Sequence, residues 1–189
     1  MQQHNYARYK GSQAAKNASV VIYPYTSQDV SYTVQAASLS SLGEDFAIVG
    51  GGHNRVNASS AHSLVIDLSW MNASEVVRLD VGDTGRPLMS VSYQGGASCL
   101  QVQVALDGSG WTPICARVGS MGAYSFSLGG GIGFLAGAFG YAIDGLLQLE
   151  VVLMSGEKIV LAMRNESHFD LFWASQGGGG QFGVVTRFW

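Results

Sequence analysis

The chain has 189 residues, which is long enough for one sizeable core or for two small subdomains that share an interface. Because 47% of the residues are hydrophobic and only 12% are charged, the composition excludes an intrinsically disordered chain. The formal net charge of -3 argues against nucleic acid or an anionic membrane as the partner, so we expect a small-molecule partner.

The chain carries acceptor sites for N-glycosylation but no signal peptide at its start. Residues 1–6 have neither the basic region nor the apolar core of a secretory signal, and no apolar run of about 18 residues predicts a transmembrane helix. The acceptor pattern begins at Asn17, Asn57, Asn72 and Asn165. We therefore expect a secreted or secretory-pathway protein whose signal is missing from this chain.

The first predicted elements are a strand, a helix and a second strand. Residues 19–23 are apolar and β-branched and are stopped by Pro24, which predicts a buried strand. Thr26-Ser27-Gln28-Asp29 offers a capping box for a helix whose apolar stripe extends to Leu39 and which ends by Gly43. A strand, a helix and a strand within about thirty residues predict a parallel βαβ unit.

A glycine-rich loop, Gly50-Gly51-Gly52-His53-Asn54, directly follows the second predicted strand at residues 46–49. This position is the carboxyl end of a parallel strand, where ligands bind in open α/β sheets. Bare glycine backbone can close its N–H groups around an anion. His53 could form a covalent bond to a cofactor as a nucleophile, although an isolated histidine more often donates to a turn carbonyl. The loop therefore predicts an anion cradle.

The remaining sequence predicts mainly antiparallel strands with two helices and a glycine-punctuated segment. The predicted strands lie at residues 64–68, 76–80, 89–93, 146–153, 158–162 and 184–188. The predicted helices cover residues 98–106 and 169–175, and the glycine-punctuated segment covers residues 117–145. We predict an α+β fold with a small parallel βαβ subdomain at about 15–70 and a mainly antiparallel sheet with flanking helices at about 71–189.

Two further motifs have alternative interpretations. Gly131, Gly133 and Ala136 fit a Rossmann fingerprint, but they follow no first strand of a βαβ unit, so the context disfavours it.

Cys99 and Cys115 are too few for a disulfide scaffold and lack the paired spacing of a zinc site. Cys99 sits at an apolar position of a predicted helix, which favours a buried hydrophobic role, as free cysteine commonly has.

Several segments occur together in the order of a known family. They are residues 24–30, 50–54, 117–122, 128–135, 141–144, 170–174 and 177–186. Together they resemble the FAD-binding PCMH-type domain of the berberine-bridge-enzyme-like oxidases, within the p-cresol methylhydroxylase and vanillyl-alcohol oxidase superfamily. The resemblance runs through nearly the whole chain and implies a two-subdomain FAD-binding fold, an FAD cofactor and no metal.

The resemblance also implies the roles of individual residues. The glycines before His53 would bind the FAD pyrophosphate, and His53 would be bonded to the 8α-methyl of the flavin. Cys115 stands in the Cys-x-x-Val-Gly setting from which some members add a second link to flavin C6, whereas others bind through histidine alone. The other implied FAD contacts are Asn54, Val118, Gly119, Ser120, Gly122, Gly130, Gly133, Asp144 and Val185.

The implied function is hydride transfer from an alcohol, a sugar or a secondary metabolite to a covalently held flavin, with reoxidation by O2. The resemblance implies that the substrate-binding domain, with the catalytic base, is absent from this chain. Val49 and Gln176 stand where the family usually has Arg or Lys, so we expect weaker charge-assisted binding of the pyrophosphate. A truncated, inactive FAD-binding relative is therefore the alternative, and a secreted binding module without flavin is a third.

Overall fold

The computed structural model describes residues 16–53, 58–79 and 88–189. The described residues form a three-stranded sheet and a five-stranded sheet with helices around them. Among them, no helix combines the length and the apolar character that crossing a bilayer requires. The predicted α+β class with a small parallel sheet and a larger antiparallel sheet is confirmed.

The parallel sheet contains β1 (Val20–Ile22), β2 (Phe46–Val49) and β3 (Leu64–Asp67) in the order β1-β3-β2. Both outer strands pair with β3 in parallel, so β3 is the central strand. All four residues of β3 are buried, as expected for a strand covered on both faces. The strand predicted at residues 64–68 thus belongs to the first subdomain and separates the two strands that precede it.

Helix α1 (Ser27–Ser38) begins at the predicted capping box. The Asp29 backbone N–H donates to Thr26 Oγ1 at 3.1 Å, and the Thr26 N–H donates to Asp29 Oδ2 at 2.9 Å. Hydrogen bonding, first with the Thr26 side chain, lowers the pKa of Asp29, so this support of the helix start is present at neutral pH and is lost in acid. The predicted stripe is too long, because Leu39 caps the helix and is 89% exposed.

The antiparallel sheet has the order β4-β5-β8-β6-β7. Its strands are β4 (Ser74–Leu79), β5 (Leu88–Gln94), β6 (Gln148–Leu153), β7 (Ile159–Met163) and β8 (Gly183–Phe188). The predicted antiparallel strands form two hairpins, β4–β5 and β6–β7, and the last strand joins them by pairing with both β5 and β6. Chain-terminal β8 is therefore central to this sheet.

The helices of the second subdomain are α2 (Cys99–Ala105), α3 (Ala123–Leu128), α4 (Ala136–Phe139) and α5 (Phe169–Gly178). The sequence predicted α2 and α5 but missed α3 and α4, which lie within the glycine-punctuated segment. Helical geometry in α5 breaks at Gln176 and Gly177, where the chain enters its last glycine run.

The two sheets share a core and a set of polar contacts along α1. Val152 and Val184 of the antiparallel sheet pack with Val30 and Leu64 of the first subdomain. At the start of α1, the Ser27 hydroxyl donates to the Glu150 carboxylate, which also accepts from Thr186 Oγ1. One turn later, Ser31 Oγ donates to the Gly156 carbonyl. These contacts fix the position of the β2 loop relative to the antiparallel sheet.

Candidate cofactor site

The glycine loop leaves the carboxyl end of β2. It packs against a second loop, residues 119–122. A Cβ on Gly51 would lie 2.1 Å from the Gly122 backbone nitrogen, and a Cβ on Gly122 would lie 2.5 Å from the Gly51 nitrogen. A Cβ on Gly50 would lie 2.9 Å from the Gly95 carbonyl oxygen. Only glycine fits these close approaches of backbone to backbone.

His53 lies at the end of this loop beside the second loop. Its Nε2 atom is 3.3 Å from Ser120 Oγ. The preceding Gly52 has a φ of 64°, a left-handed conformation that glycine adopts without strain. The structure therefore brings together four of the predicted site residues, Gly51, Gly122, His53 and Ser120.

A cleft of about 420 Å³ opens beside the glycine loop. Its walls are the Gly50–His53 loop, one side of α3 and the glycine run after α5. The lining residues are Phe46, Ala47, Ile48, Gly50, Gly52, His53, Ala58, Ser59, Tyr124, Ser125, Leu128, Gly129, Gly177, Gly178, Gly179, Gly180 and Gln181. None of these described lining residues is acidic, lysine or arginine.

The glycine run gives this cleft a second stretch of bare backbone. Gly177 and Gly179 have φ values of 114° and 61°, and no atom lies within 4 Å of the Cβ position of either residue. Backbone N–H groups in such turns can form anion-binding concavities. Two glycine stretches on one cleft, with a histidine at its edge, fit a cofactor that carries a pyrophosphate.

The family comparison decides which cofactor fits this cleft. The FAD binding domain family matches residues 18–162. The chain belongs to this family. It is 34% identical over 172 residues to the FAD-linked oxidoreductase pgmH of Aspergillus terreus, an alignment that covers 90% of this chain and 32% of the relative. The chain thus spans about one third of the length of such curated relatives.

Solved structures confirm the predicted fold of the FAD-binding domain. The glucooligosaccharide oxidase of Acremonium strictum superposes with a TM-score of 0.78 at 27% identity, covering 92% of this chain and 34% of the oxidase. A berberine-bridge-enzyme-like protein of Physcomitrella patens superposes with a TM-score of 0.76 at 25% identity, covering 93% of this chain and 38% of that protein. The resemblance drawn from the motifs is therefore confirmed.

Val49 and Gln176, the two departures from the family pattern, place their side chains away from the cleft beside the glycine loop. Val49 is 2% exposed and packs in a buried cluster with Ala47, Ala61 and Val65. The Gln176 Nε2 atom donates to the Ile143 carbonyl at 3.0 Å. Neither side chain lines the cleft.

The second loop of the FAD-binding domain is anchored on α2. The Cys99 and Leu100 N–H groups donate to the carbonyls of Met121 and Gly119 at 2.8 and 2.9 Å. The Ala123 N–H donates to the Ala97 carbonyl at 3.0 Å. These backbone bonds hold Gly119, Ser120 and Gly122 against the glycine loop.

The Cys115 thiol lies against Cys99, and Cys115 is not among the residues that line the larger cleft. Cys115 Sγ is 3.9 Å from the Cys99 carbonyl oxygen, and the Ala116 N–H donates to Cys99 Sγ at 3.2 Å. The hydrogen bond between the thiols raises the pKa of Cys115, as does burial, and lowers the pKa of Cys99. Cys115 lines a second cleft, of about 230 Å³, together with Arg117 and Phe134.

The other predicted contacts of the FAD-binding domain lie outside the larger cleft. A Cβ on Gly133 would lie 2.7 Å from the Cys115 carbonyl oxygen, so this segment packs on the Cys115 loop. Gly130 has a φ of 103°. Asp144 caps a short 3₁₀ helix, accepting from the Tyr141 N–H at 2.8 Å.

The segment containing Gly133 follows no parallel strand, which agrees with rejecting the Rossmann interpretation.

Val118 and Val185 differ sharply in exposure. Val118 is 48% exposed, whereas Val185 is 1% exposed within the core of the antiparallel sheet. The buried Val185 side chain does not line the described clefts, so any contact with FAD there would come from its backbone. Asn54 was also predicted and lies outside the described residues.

Sequence reasoning missed the α3 wall of the cleft. Tyr124, Ser125 and Leu128 line it, and burial raises the pKa of Tyr124 to about 12, so its hydroxyl stays protonated at neutral pH. The Gly180 Cβ position lies 3.1 Å from the Tyr124 hydroxyl. The six residues of α3 are too few to display a helical period, so no periodic pattern indicated this wall.

Proposed function

We propose that this chain is the FAD-binding part of an oxidoreductase. The observation that carries the proposal is the cleft enclosed by two bare glycine stretches, with His53 at its edge. FAD, when bound, would supply the hydride acceptor, and the protein would bind and orient it. The family match and the similarity to FAD-linked oxidoreductases support this function.

Backbone groups carry the binding in this proposal. The N–H groups of the loop from Gly50 to Gly52 and of the run from Gly177 to Gly180 would donate to the pyrophosphate oxygens. Helix α3 would cover the cofactor on the apolar side, since Tyr124 and Leu128 line that wall.

His53 is the proposed covalent tether of the flavin. It stands at the edge of the cleft, and an imidazole nitrogen is a suitable nucleophile when neutral. The Acremonium glucooligosaccharide oxidase carries a 6-S-cysteinyl, 8α-N1-histidyl FAD, which supports the same kind of histidyl bond here.

A bond from Cys115 to flavin C6 is the second proposed tether. It requires the Cys115 thiol to leave its contact with Cys99, and the raised pKa of Cys115 opposes the formation of a reactive thiolate. We expect Cys115→Ala to leave only the histidyl bond, and Cys99→Ala to increase the share of doubly linked flavin. Absorbance spectra of the denatured, flavin-loaded variants distinguish the two states. Identical spectra for Cys115→Ala and the wild type would show that only one bond forms.

The proposed reaction removes a hydride from an alcohol, a sugar or a secondary metabolite, and O2 reoxidises the cofactor. We assign no catalytic base, and the partners are the small-molecule substrate and O2. The second candidate is an FAD-binding relative without turnover. It is considered because Val49 and Gln176 stand where the resemblance leads us to expect Arg or Lys, and neither side chain lines the cleft.

The test of the proposed function is to incubate the purified protein with FAD, precipitate it with acid and measure the absorbance that stays with the polypeptide. Yellow polypeptide is the expected result, and a colourless pellet and supernatant after desalting would refute FAD binding. Hydrogen peroxide release with a panel of alcohols and sugars then separates the two candidates. Bound flavin without peroxide from any substrate would favour the binding protein without turnover.

We propose that the protein passes through the secretory pathway. Of the four acceptor asparagines, Asn17, Asn72 and Asn165 lie in the described residues, and all three are exposed. Glycosylation needs such surface positions. Expression in a eukaryotic host with a signal peptide should give a protein whose mass falls on treatment with peptide N-glycosidase. An unchanged mass would count against the proposal.

A further inference from the structure

The two loops of the site run past each other in an antiparallel register. Gly51 packs on Gly122. His53 lies two residues after Gly51, Ser120 lies two residues before Gly122, and these two side chains are in contact. The contact of the glycines leaves no space for a side chain, so it fixes the separation from which the Ser120 hydroxyl reaches the imidazole. Ser120 thus stands at a set distance from the proposed tether.

The Ser120 loop is rigid enough to hold the imidazole. Backbone bonds from Cys99 and Leu100 fix its carbonyls on either side of Ser120, at Met121 and Gly119. In addition, Ser98 forms a bridge with Gly122. A side chain on such a support can restrict the rotation of the ring that it contacts.

The contact at Nε2 has a chemical consequence. A serine hydroxyl can accept from an imidazole N–H, and a neutral imidazole that is protonated on Nε2 has its lone pair on Nδ1. A contact of 3.3 Å suits a hydroxyl that either donates or accepts, and the tautomer in which Ser120 Oγ accepts is the one whose nucleophilic atom is Nδ1.

We propose that Ser120 is a positioning residue that selects Nδ1 of His53 as the atom bonded to the flavin. The inference rests on the proposed function, in which His53 is the tether. Ser120 acts through the imidazole by fixing both its tautomer and its rotation.

In the proposed attachment, His53 Nδ1 would form a bond to the 8α carbon while one C–H bond of that methyl and the imidazole N–H bond break. FAD would take up the two electrons released, and O2 would remove them, with the two protons, as hydrogen peroxide. Ser120 Oγ accepts the hydrogen bond of the N–H that loses its proton.

The test follows covalent attachment after FAD is added to the purified apo form of the chain. With FAD saturating, so that a change in reversible affinity does not enter the rate, we expect Ser120→Ala to slow attachment by about tenfold, the effect of losing one useful hydrogen bond. Ser120→Thr, which keeps the hydroxyl, should restore the rate. Ser155→Ala, in the turn between β6 and β7, is the matched control and should attach FAD at the wild-type rate.

A second readout separates positioning from a general structural role. Histidyl-flavin isolated from the wild type should be a single Nδ1 isomer by NMR, and that from Ser120→Ala should contain both isomers. An unchanged rate and an unchanged isomer in Ser120→Ala would overturn the inference but leave the tether intact. A wild-type protein that binds FAD but attaches none would instead overturn the tether, and the role of Ser120 with it.

Discussion

Gly51→Ala is expected to abolish FAD loading and to lower the free energy of unfolding by about 2–4 kcal/mol. The added Cβ would stand 2.1 Å from the Gly122 nitrogen and 2.7 Å from its Cα. Both are backbone atoms, and the Ala123 N–H bond to Ala97 anchors the chain at the next residue, so neither can move aside cheaply. Denaturant titration and FAD titration of the purified variant measure the two effects.

Gly137→Ala is the matched control for this substitution. Gly137 lies in α4, its φ is not in the left-handed region, and no atom lies within 4 Å of its Cβ position. We expect a change in unfolding free energy of no more than about 0.5–1 kcal/mol, in the stabilising direction, and wild-type loading. A Gly51→Ala protein as stable and as yellow as Gly137→Ala would contradict the close packing of the two loops.

His53→Ala is expected to convert permanently held flavin into reversibly bound flavin. The substitution removes the nucleophilic imidazole and leaves both glycine stretches of the cleft in place, so FAD should still bind but should appear in the supernatant after acid precipitation. In a Cys115→Ala background, which removes the second proposed tether, we expect at least about a hundredfold drop in the flavin retained by the polypeptide, because no bond can form without a nucleophile.

His62→Ala is the control for His53→Ala. His62 precedes β3, is exposed and does not line the cleft, and its backbone N–H rather than its ring donates to Asp45. This variant should retain flavin as the wild type does. Flavin that stays with the His53→Ala polypeptide would place the tether on another residue.

Much of the fold could be predicted from local chemistry. The capping box at Thr26 set the start of α1 within one residue, and the glycine loop was placed correctly at the carboxyl end of β2. Such features depend on residues a few positions apart, so the sequence alone reports them. The end of α1 was predicted less well, because Leu39 continues the apolar stripe but caps the helix on the surface.

Long-range placements could not be predicted in the same way. The sequence contains nothing that says β3 lies between β1 and β2, or that β8 joins the two hairpins, since strand order depends on non-local packing. The contact of Cys99 with Cys115 likewise joins residues that a loop separates. The burial of Val49 is also a tertiary effect, because its side chain fills a core beneath the loop rather than the cleft.

The resemblance to the family identified the cofactor, and the structure then refined the site within the chain. Gly51, Gly122, His53 and Ser120 meet as one constellation, while Cys115 and Gly133 form a separate one. The cleft beside the first constellation is walled by α3, whose residues no motif indicated. The FAD-binding assignment is supported by the family match, and His53 as the tether stays a proposal drawn from the resemblance.

The most direct measurement of the central claim is peptide mapping of the FAD-loaded chain. The denatured, desalted protein is digested, and the flavin-bearing peptides are identified by absorbance and mass spectrometry. We predict that the peptide containing Gly50-Gly51-Gly52-His53 carries the mass of FAD on His53. An unmodified His53 peptide, with flavin on another peptide or entirely in the wash, would contradict the account.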